Sequence, residues 1–254
     1  MSMLTAPSSQ NPKPVSKVWR PDLTRLPELT PGRRLFRRFF KLLCRAVVFI
    51  FTRTTIQGME NYPRRGPALV VINHLGDPDA FLMMAALPDF PEMIGKIELR
   101  EIIWLRMLGA LLGMIWVHRG QPDRRAISAA LQAFKRGLKV IIAPEGREAV
   151  SGALEEGTEG AAYLAQRGGV PVVPVTITGS EFRLIENGMK KFLRVPVTIS
   201  VGKPFVLPEY SDRKDALQEG TRQIMEALAR QLPPEYRGVY GYVGEQAQPD
   251  PRKK

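Results

Sequence analysis

Short apolar runs alternate along the chain with longer segments in which apolar residues recur every three or four positions. The short runs predict β-strands at 70–72, 116–119, 140–143, 170–177 and 195–202. The longer segments predict helices at 79–87, 123–136, 158–167 and 211–231. Strands that alternate with helices predict one α/β sandwich with a mostly parallel mixed sheet. Two prolines in 170–177 favour an edge position or irregular pairing for that strand.

A basic amphipathic helix is predicted before this domain, within residues 33–56. Its basic positions are Arg34, Arg38, Lys41 and Arg45. Its bulky apolar positions, on another face, are Phe36, Phe40, Leu43, Val47 and Ile50. This pattern favours a membrane interface with anionic headgroups, and the alternative is a helix that packs its apolar side on the domain. The apolar runs at 46–51 and 107–117 are shorter than the roughly 18–20 residues that span a bilayer.

The pattern divides the chain into four parts. We expect a disordered or extended arm at 1–32, the membrane-associating helix at 33–56, the main domain at 57–240 and a polar tail at 241–254. The arm has neither an apolar core region nor a small-residue cleavage site, so we expect no signal peptide and no full transmembrane span. The expected location is the cytoplasmic face of a membrane, as a peripheral or monotopic protein.

The positive charge is concentrated near the N-terminus. Of the net charge of +12, residues 1–56 contribute +9, with eleven Lys and Arg against two carboxylates. Basic positions there alternate with bulky aliphatic residues rather than with stacking aromatics, which favours an anionic membrane over nucleic acid. One cysteine, Cys44, excludes an intrachain disulfide, and two histidines without a Cys/His cluster predict no metal site.

The strand-to-helix turn at 73–79 carries the candidate chemistry. His74 follows the apolar run, and Asp79 lies five residues on, in the first turn of the next helix. A carboxylate at that position can fix the imidazole tautomer and increase its basicity. The turn offers no strong nucleophile, so the pair predicts a general base that acts on a substrate hydroxyl. The alternative is an ordinary turn histidine beside capping acids, with Asp77 as the N-cap.

Four blocks follow one another along the chain: Asn73-His74-x4-Asp79, Gly113-x2-Trp116-x2-Arg119, Pro144-Glu145-Gly146 and the strand Val170 to Val175. Together they resemble the glycerolipid acyltransferases of the lysophosphatidic acid acyltransferase type. Each block is weak by itself, but four in order make a strong signal, and the resemblance covers roughly residues 34–240. Two positions depart from the family pattern. Arg147 follows Gly146 directly, with Glu148 where the family has arginine, and 157–160 lacks the family's cation.

The resemblance implies transfer of a fatty acyl group from a thioester to the hydroxyl of a lysophospholipid, giving phosphatidic acid from 1-acyl-sn-glycerol-3-phosphate. It implies His74 and Asp79 as catalytic residues and no cofactor or metal. The residues implied for substrate binding are Asn73, Arg119, Glu145, Gly146 and Arg147. Amides near Gly146 or at the N-terminus of the 78–87 helix are candidates for stabilising the tetrahedral intermediate.

The two departures keep other functions open. They leave room for another lipid acceptor, or for a non-catalytic peripheral lipid-binding protein of the same fold. The sequence also leaves open whether the donor is acyl-CoA or acyl carrier protein, which chain length fits, and the oligomeric state.

Overall fold

Seven strands form one sheet in the computed structural model, which describes residues 13–120, 122–208 and 213–243. The strands are β1 (Thr52–Gln57), β2 (Ala68–Ile72), β3 (Glu92–Lys96), β4 (Ile115–Val117), β5 (Lys139–Ile142), β6 (Val172–Thr178) and β7 (Val195–Val201). They are ordered β1-β7-β6-β2-β5-β3-β4, and every neighbouring pair is parallel except β6 with β7. The predicted α/β fold with a mostly parallel mixed sheet is confirmed.

Helices cover both faces of the sheet. They are α1 (Pro31–Phe51), α2 (Pro78–Ala86), α3 (Ile103–Leu112), α4 (Arg124–Lys135), α5 (Glu159–Gly168), α6 (Phe182–Lys190) and α7 (Arg213–Ala229). Strand β2 is buried throughout, and its side chains alternate between two cores. Leu69 and Val71 join the core beneath α4, α5 and α7, whereas Val70 joins the core beneath α2. This central position fixes the turn that follows β2.

The prediction of an edge position for the proline-containing strand is wrong. Strand β6 lies in the interior of the sheet, between β2 and β7. Pro174 is tolerated because its antiparallel neighbour begins to pair only at Val175, so the missing N–H falls at the end of that ladder. The pattern also did not predict β1, β3 and α6.

The basic amphipathic helix predicted within 33–56 corresponds to α1. Phe51 is its last residue, and 52–57 form β1, which pairs with β7. Arg37 fixes the helix to the domain, because both of its terminal nitrogens donate to the buried Glu92 carboxylate at 2.7 Å and its Nε donates to the Leu112 carbonyl. This helix is therefore packed along one side.

Part of the predicted basic stripe does not face solvent. Lys41 donates to the Pro88 and Asp89 carbonyls in the loop that follows α2. Arg45 donates to the Ala85 carbonyl, which lies in the last turn of α2 and has no partner within that helix. Phe40 of the predicted apolar face is buried. Arg34 and Arg38 remain exposed.

An exposed apolar surface of α1, which includes Leu43, Val47 and Ile50 of the predicted face, lies together with one side of α3. Its members are Leu35, Phe39, Leu42, Leu43, Val47, Phe49 and Ile50 on α1, and Ile103, Trp104, Met107 and Leu111 on α3. The two helices contact each other, so these side chains occupy neighbouring surfaces. Among the described residues, no helix combines the length and the apolar character that crossing a bilayer requires.

The described part of the N-terminal arm is extended and lies against the domain. Residues 13–30 contain one 3-10 turn, Pro21–Leu23, and insert Leu26 into the core. Residues 1–12 of the predicted arm and 244–254 of the predicted tail lie outside the described residues. The division of the chain into four parts stays a prediction.

Candidate active site

The candidate residues lie where four neighbouring parallel strands end. His74 follows β2, Glu145 follows β5, Lys96 ends β3 and Arg119 follows β4. In open α/β sheets, ligands bind outside the carboxyl ends of the strands. The topology therefore places the predicted residues His74, Glu145 and Arg119 along one edge of the sheet, together with Lys96, which was not among the predicted residues.

His74 and Asp79 form the predicted pair. The distance from His74 Nδ1 to Asp79 Oδ2 is 2.8 Å. A carboxylate only accepts, so Nδ1 carries the proton and the lone pair of the neutral ring is on Nε2. Among the described residues, no hydrogen bond reaches Nε2, and 27% of the His74 side chain is exposed. The arrangement leaves Nε2 able to accept a proton from a ligand.

Asp79 is held by the turn that it follows. Its Oδ2 also accepts from the Leu75 and Gly76 amides at 2.7 and 3.1 Å, and its Oδ1 accepts from Ser180 Oγ at 2.5 Å. The side chain of Asp77, predicted as the N-cap, forms no capping bond, although helix α2 does begin at Pro78. Asp79 takes the turn amides instead, which orients its carboxylate towards His74.

The charges around His74 favour its protonated form. Burial lowers the pKa of His74, but the hydrogen bond and charge of Asp79, with the Glu148 and Glu145 carboxylates, outweigh it. The net effect raises the pKa above its ordinary value. His74 is thus a stronger base than a free imidazole.

Glu145 connects the His74 turn to the loop after β5. It is fully buried, and its two carboxylate oxygens accept from the His74 amide at 3.1 Å and the Glu155 amide at 2.9 Å. Burial raises the pKa of Glu145 to about 7, against those two hydrogen bonds and the His74 charge, which lower it. The geometry favours a role in holding the turn, and contact with substrate stays a prediction.

Asn73 connects β2 to β6. Its side chain is buried and exchanges two hydrogen bonds with the Ile177 main chain, each at 2.8 Å. This amide therefore extends the strand pairing by one step. The geometry favours positioning of His74, and the predicted contact of Asn73 with substrate remains untested.

The two predicted arginines differ in their surroundings. Arg147 is buried, and its guanidinium lies 2.6 Å from the Glu155 carboxylate. Arg119 is partly exposed, and its Nε lies 4.0 Å from Glu98 Oε2. Neither of those two atoms has a hydrogen-bond partner among the described residues. Arg119 is thus the better placed of the two to take an anionic ligand.

Gly146 shapes the turn after β5. Its φ of +75° lies in the left-handed region that favours glycine, and its amide donates to the Ala143 carbonyl. The Leu75 and Gly76 amides are likewise taken by Asp79. The Gly146 amide is therefore engaged within its own turn rather than open as a donor to an oxyanion.

Sequence reasoning missed the partners that fix this site. Ser180 precedes α6 and holds Asp79, and Glu155 holds Arg147. Ser180 lies 101 residues from Asp79, and Glu155 lies eight residues from Arg147 within a loop, so neither pairing follows the spacing of a helix or a strand. No group of three or more His, Cys, Asp or Glu side chains in the described ranges is placed to hold a metal ion.

A family model and several curated proteins are similar to this chain. The model described as "Acyltransferase" matches residues 53–178, which include the whole candidate site. A 1-acyl-sn-glycerol-3-phosphate acyltransferase from Limnanthes douglasii is 28% identical over 186 residues, covering 70% of this chain and 63% of the relative. A probable enzyme of that name from Mycoplasma pneumoniae is 29% identical, covering 61% of this chain and 60% of the relative. The chain thus spans less than two thirds of these relatives.

The fold is similar to that of a solved structure. The Thermotoga maritima protein PlsC, described as a 1-acyl-sn-glycerophosphate acyltransferase, matches with a TM-score of 0.59 and 21% identity. The match covers 80% of this chain and 84% of that one. At this identity, the likeness concerns the fold.

Proposed function

We propose that this chain is a glycerolipid acyltransferase of the lysophosphatidic acid acyltransferase type, and that it transfers a fatty acyl group from an acyl thioester to the free hydroxyl of a lysophospholipid. One observation carries the proposal: His74 is held by Asp79 through Nδ1 and leaves Nε2 open at the carboxyl edge of the sheet. The open nitrogen is what a general base needs.

In the proposed reaction, His74 Nε2 removes the proton of the acceptor hydroxyl. The oxygen attacks the thioester carbonyl, and the tetrahedral intermediate collapses with cleavage of the carbon–sulfur bond. The imidazolium returns its proton to the leaving thiolate, so His74 ends the cycle neutral. Asp79 holds the ring and stabilises the imidazolium while it exists. Acyl-CoA and acyl carrier protein both fit this chemistry as donors.

The acceptor we propose is 1-acyl-sn-glycerol-3-phosphate. Its phosphate needs a cation near His74, and a guanidinium pairs with phosphate through two parallel hydrogen bonds. We assign this role to Arg119, whose side chain is 22% exposed and whose Nε lies as far as 4.0 Å from Glu98 Oε2. The Glu155 pairing of Arg147 supports a structural role for that residue instead.

We also propose that the enzyme works at a membrane surface. The exposed apolar side chains of α1 and α3 support this location, because isolated patches of that extent are uncommon on soluble monomers. The exposed Arg34 and Arg38 on the same helix would contact anionic headgroups. In this arrangement the protein takes its lipids from one leaflet.

The test is acyl transfer from radiolabelled acyl-CoA to a panel of lysophospholipids in detergent micelles. We expect phosphatidic acid from wild type and a loss of product in His74→Ala. Transfer to another lysophospholipid instead would support the proposed reaction but show that the acceptor is a different lipid. No transfer from either acyl-CoA or acyl carrier protein, with the lipids still bound, would favour the non-catalytic lipid-binding function.

A further inference from the structure

The N-terminal arm runs along the edge strand β4 and reaches the candidate site. Ser16 exchanges two hydrogen bonds with Arg119: its amide donates to the Arg119 carbonyl at 2.9 Å, and its Oγ accepts from the Arg119 amide at 2.8 Å. Further along the arm, the Arg20 amide donates to His118 Nε2, and the Trp19 ring lies 4.6 Å from the His118 ring. The arm is thus attached to the residue that follows β4 in the site.

Beyond Ser16, the arm brings a cation to the loop after β5. Lys13 Nζ donates to the Glu156 carbonyl at 2.6 Å. Burial lowers the pKa of Lys13 and the Arg147 guanidinium lowers it further, whereas the carboxylates of Glu156, Glu145 and Glu155 act in the opposite direction. Lys13 therefore lies beside the Glu145–Arg147 turn, although more than 130 residues separate them in the chain.

This loop is directly connected to His74. Glu145 accepts the His74 amide with one oxygen and the Glu155 amide with the other, and the Ala149 amide donates to the His74 carbonyl at 2.7 Å. A ligand group bound at Lys13 would therefore have a fixed relation to the base. Loops held in this way to a catalytic turn are suitable for positioning a substrate.

Lys13 differs from Arg147 and Lys96 in its partners. Arg147 is paired with the buried Glu155, and Lys96 lies 4.0 Å from Glu148. The hydrogen-bond partner of Lys13 within the described residues is a main-chain carbonyl. An ammonium group that is partly withdrawn from water and has no bonded carboxylate is suited to an anionic ligand, because such a ligand would offset the lost hydration.

We propose that segment 13–20 of the N-terminal arm is part of the acceptor site and that Lys13 binds the phosphate of the lysophospholipid. This inference rests on the proposed function and adds a substrate-binding residue from outside the 53–178 region that the family model matches. Ser16 of the same segment bonds to the main chain of Arg119, so this segment contacts the domain at both Arg119 and Glu156.

The experiment compares Lys13→Gln with Lys13→Arg and a matched control, Lys17→Gln. Lys17 is an exposed lysine of the same arm, so its substitution removes the same charge four residues away. For each full-length variant, KM and kcat are measured with lysophosphatidic acid, with acyl-CoA and with monoacylglycerol, an acceptor that lacks phosphate. Thermal unfolding of each variant shows whether the fold is kept.

Lys13→Gln is expected to raise KM for lysophosphatidic acid on the order of 10- to 100-fold, the range for loss of a hydrogen bond to a charged group. The KM for acyl-CoA and the transfer to monoacylglycerol should stay close to wild type. Lys13→Arg should restore most of the affinity, and Lys17→Gln should behave as wild type. Equal KM values for lysophosphatidic acid in Lys13→Gln and Lys17→Gln would overturn the proposal.

A binding measurement separates this inference from the proposed function. Tryptophan fluorescence reports binding of lysophosphatidic acid and of monoacylglycerol in micelles without turnover. If wild type transfers no acyl group, the proposed function fails. A selective loss of lysophosphatidic acid binding in Lys13→Gln would then still support the phosphate site, and unchanged binding would reject it.

Discussion

The chain contains two His-x4-Asp pairs, His74 with Asp79 and His118 with Asp123, and their environments are opposite. The distance from Nδ1 to Oδ2 is 2.8 Å in the first pair and 2.7 Å in the second. The His74 side chain is 27% exposed, whereas that of His118 is completely buried. His118 Nε2 accepts the Arg20 amide at 2.9 Å, while no described residue donates to His74 Nε2.

The two aspartates also have different structural roles. Asp79 accepts from the amides of its own turn and from Ser180, and so holds the His74 ring with Nε2 open. Asp123 is the N-cap of α4, where its Oδ1 accepts from the Arg125 and Ala126 amides. Burial raises the pKa of Asp123, but the hydrogen bonds from the His118 amide and ring and from Ala126 outweigh it, so the pKa is lowered.

The difference shows that the spacing defines a hydrogen bond but not a function. In both pairs, the carboxylate assigns the imidazole proton to Nδ1. Only the second nitrogen decides what the histidine does. With Nε2 open the ring can serve as a base, and with Nε2 occupied it connects the N-terminal arm to α4. Four predictions test this distinction.

Loss of the exposed histidine should have the largest effect. His74→Ala should reduce kcat/KM for acyl transfer by roughly 10²- to 10⁴-fold, the range for removal of a general base. His118→Ala should keep its kcat per folded molecule within a few-fold of wild type, and a change in KM for lysophosphatidic acid would reflect the loss of the contact between His118 and the N-terminal arm. Steady-state assays at 25 °C on both variants check this, and equal losses would show that the two pairs are not functionally distinct.

Substitution of the two aspartates should show the same difference in activity. Asp79→Asn should lower kcat/KM on the order of 10²-fold, because the imidazole remains but loses its carboxylate partner and its preferred tautomer. Asp123→Asn removes the same charge from the buried pair and serves as the matched control. We expect its assay to show nearly normal kcat/KM, together with reduced thermal stability. A strong loss of activity in this control at intact fold would count against the distinction.

The buried His118–Asp123 pair should contribute more to the free energy of unfolding than the His74–Asp79 pair. His118→Ala leaves Asp123 Oδ2 and the Arg20 amide without their ring partners and should lower the free energy of unfolding by about 3 kcal/mol. His74→Ala should cost clearly less, because its ring is partly exposed and Asp79 keeps three other donors. Urea unfolding of the two variants gives the comparison. A reversed order would contradict it.

The smallest expected effect is a shift in the pH dependence of kcat/KM. Because the pKa of His74 is raised, kcat/KM should rise through a pH above about 6.5, the ordinary value for histidine. The stability that His74 contributes is fully present below its unfolded pKa and is lost as pH rises through its folded pKa. The pH range over which kcat/KM rises should shift to lower pH in Asp79→Asn and stay unchanged in Asp123→Asn. A limb that is unchanged in both variants would mean that another group controls the profile.

Local patterns in the sequence determined several elements and the His74–Asp79 pair. Strands β2, β5 and β7 and helices α2, α4, α5 and α7 lie within a few residues of their predicted positions. Apolar runs and caps act over one or two turns of chain, so they are readable without the fold. The second pair at His118 and Asp123 had the same visible spacing, and only its packing beneath Trp19 and Arg20 shows that it is structural.

The tertiary structure decided which of these groups meet. The interior position of β6, the support of Asp79 by Ser180 and the approach of Lys13 to Glu156 all depend on chain crossings. Most of these contacts join residues about a hundred or more positions apart, and the sheet order brings them together. A short sequence pattern does not predict these contacts, because burial and hydrogen bonding at each position depend on the complete tertiary structure.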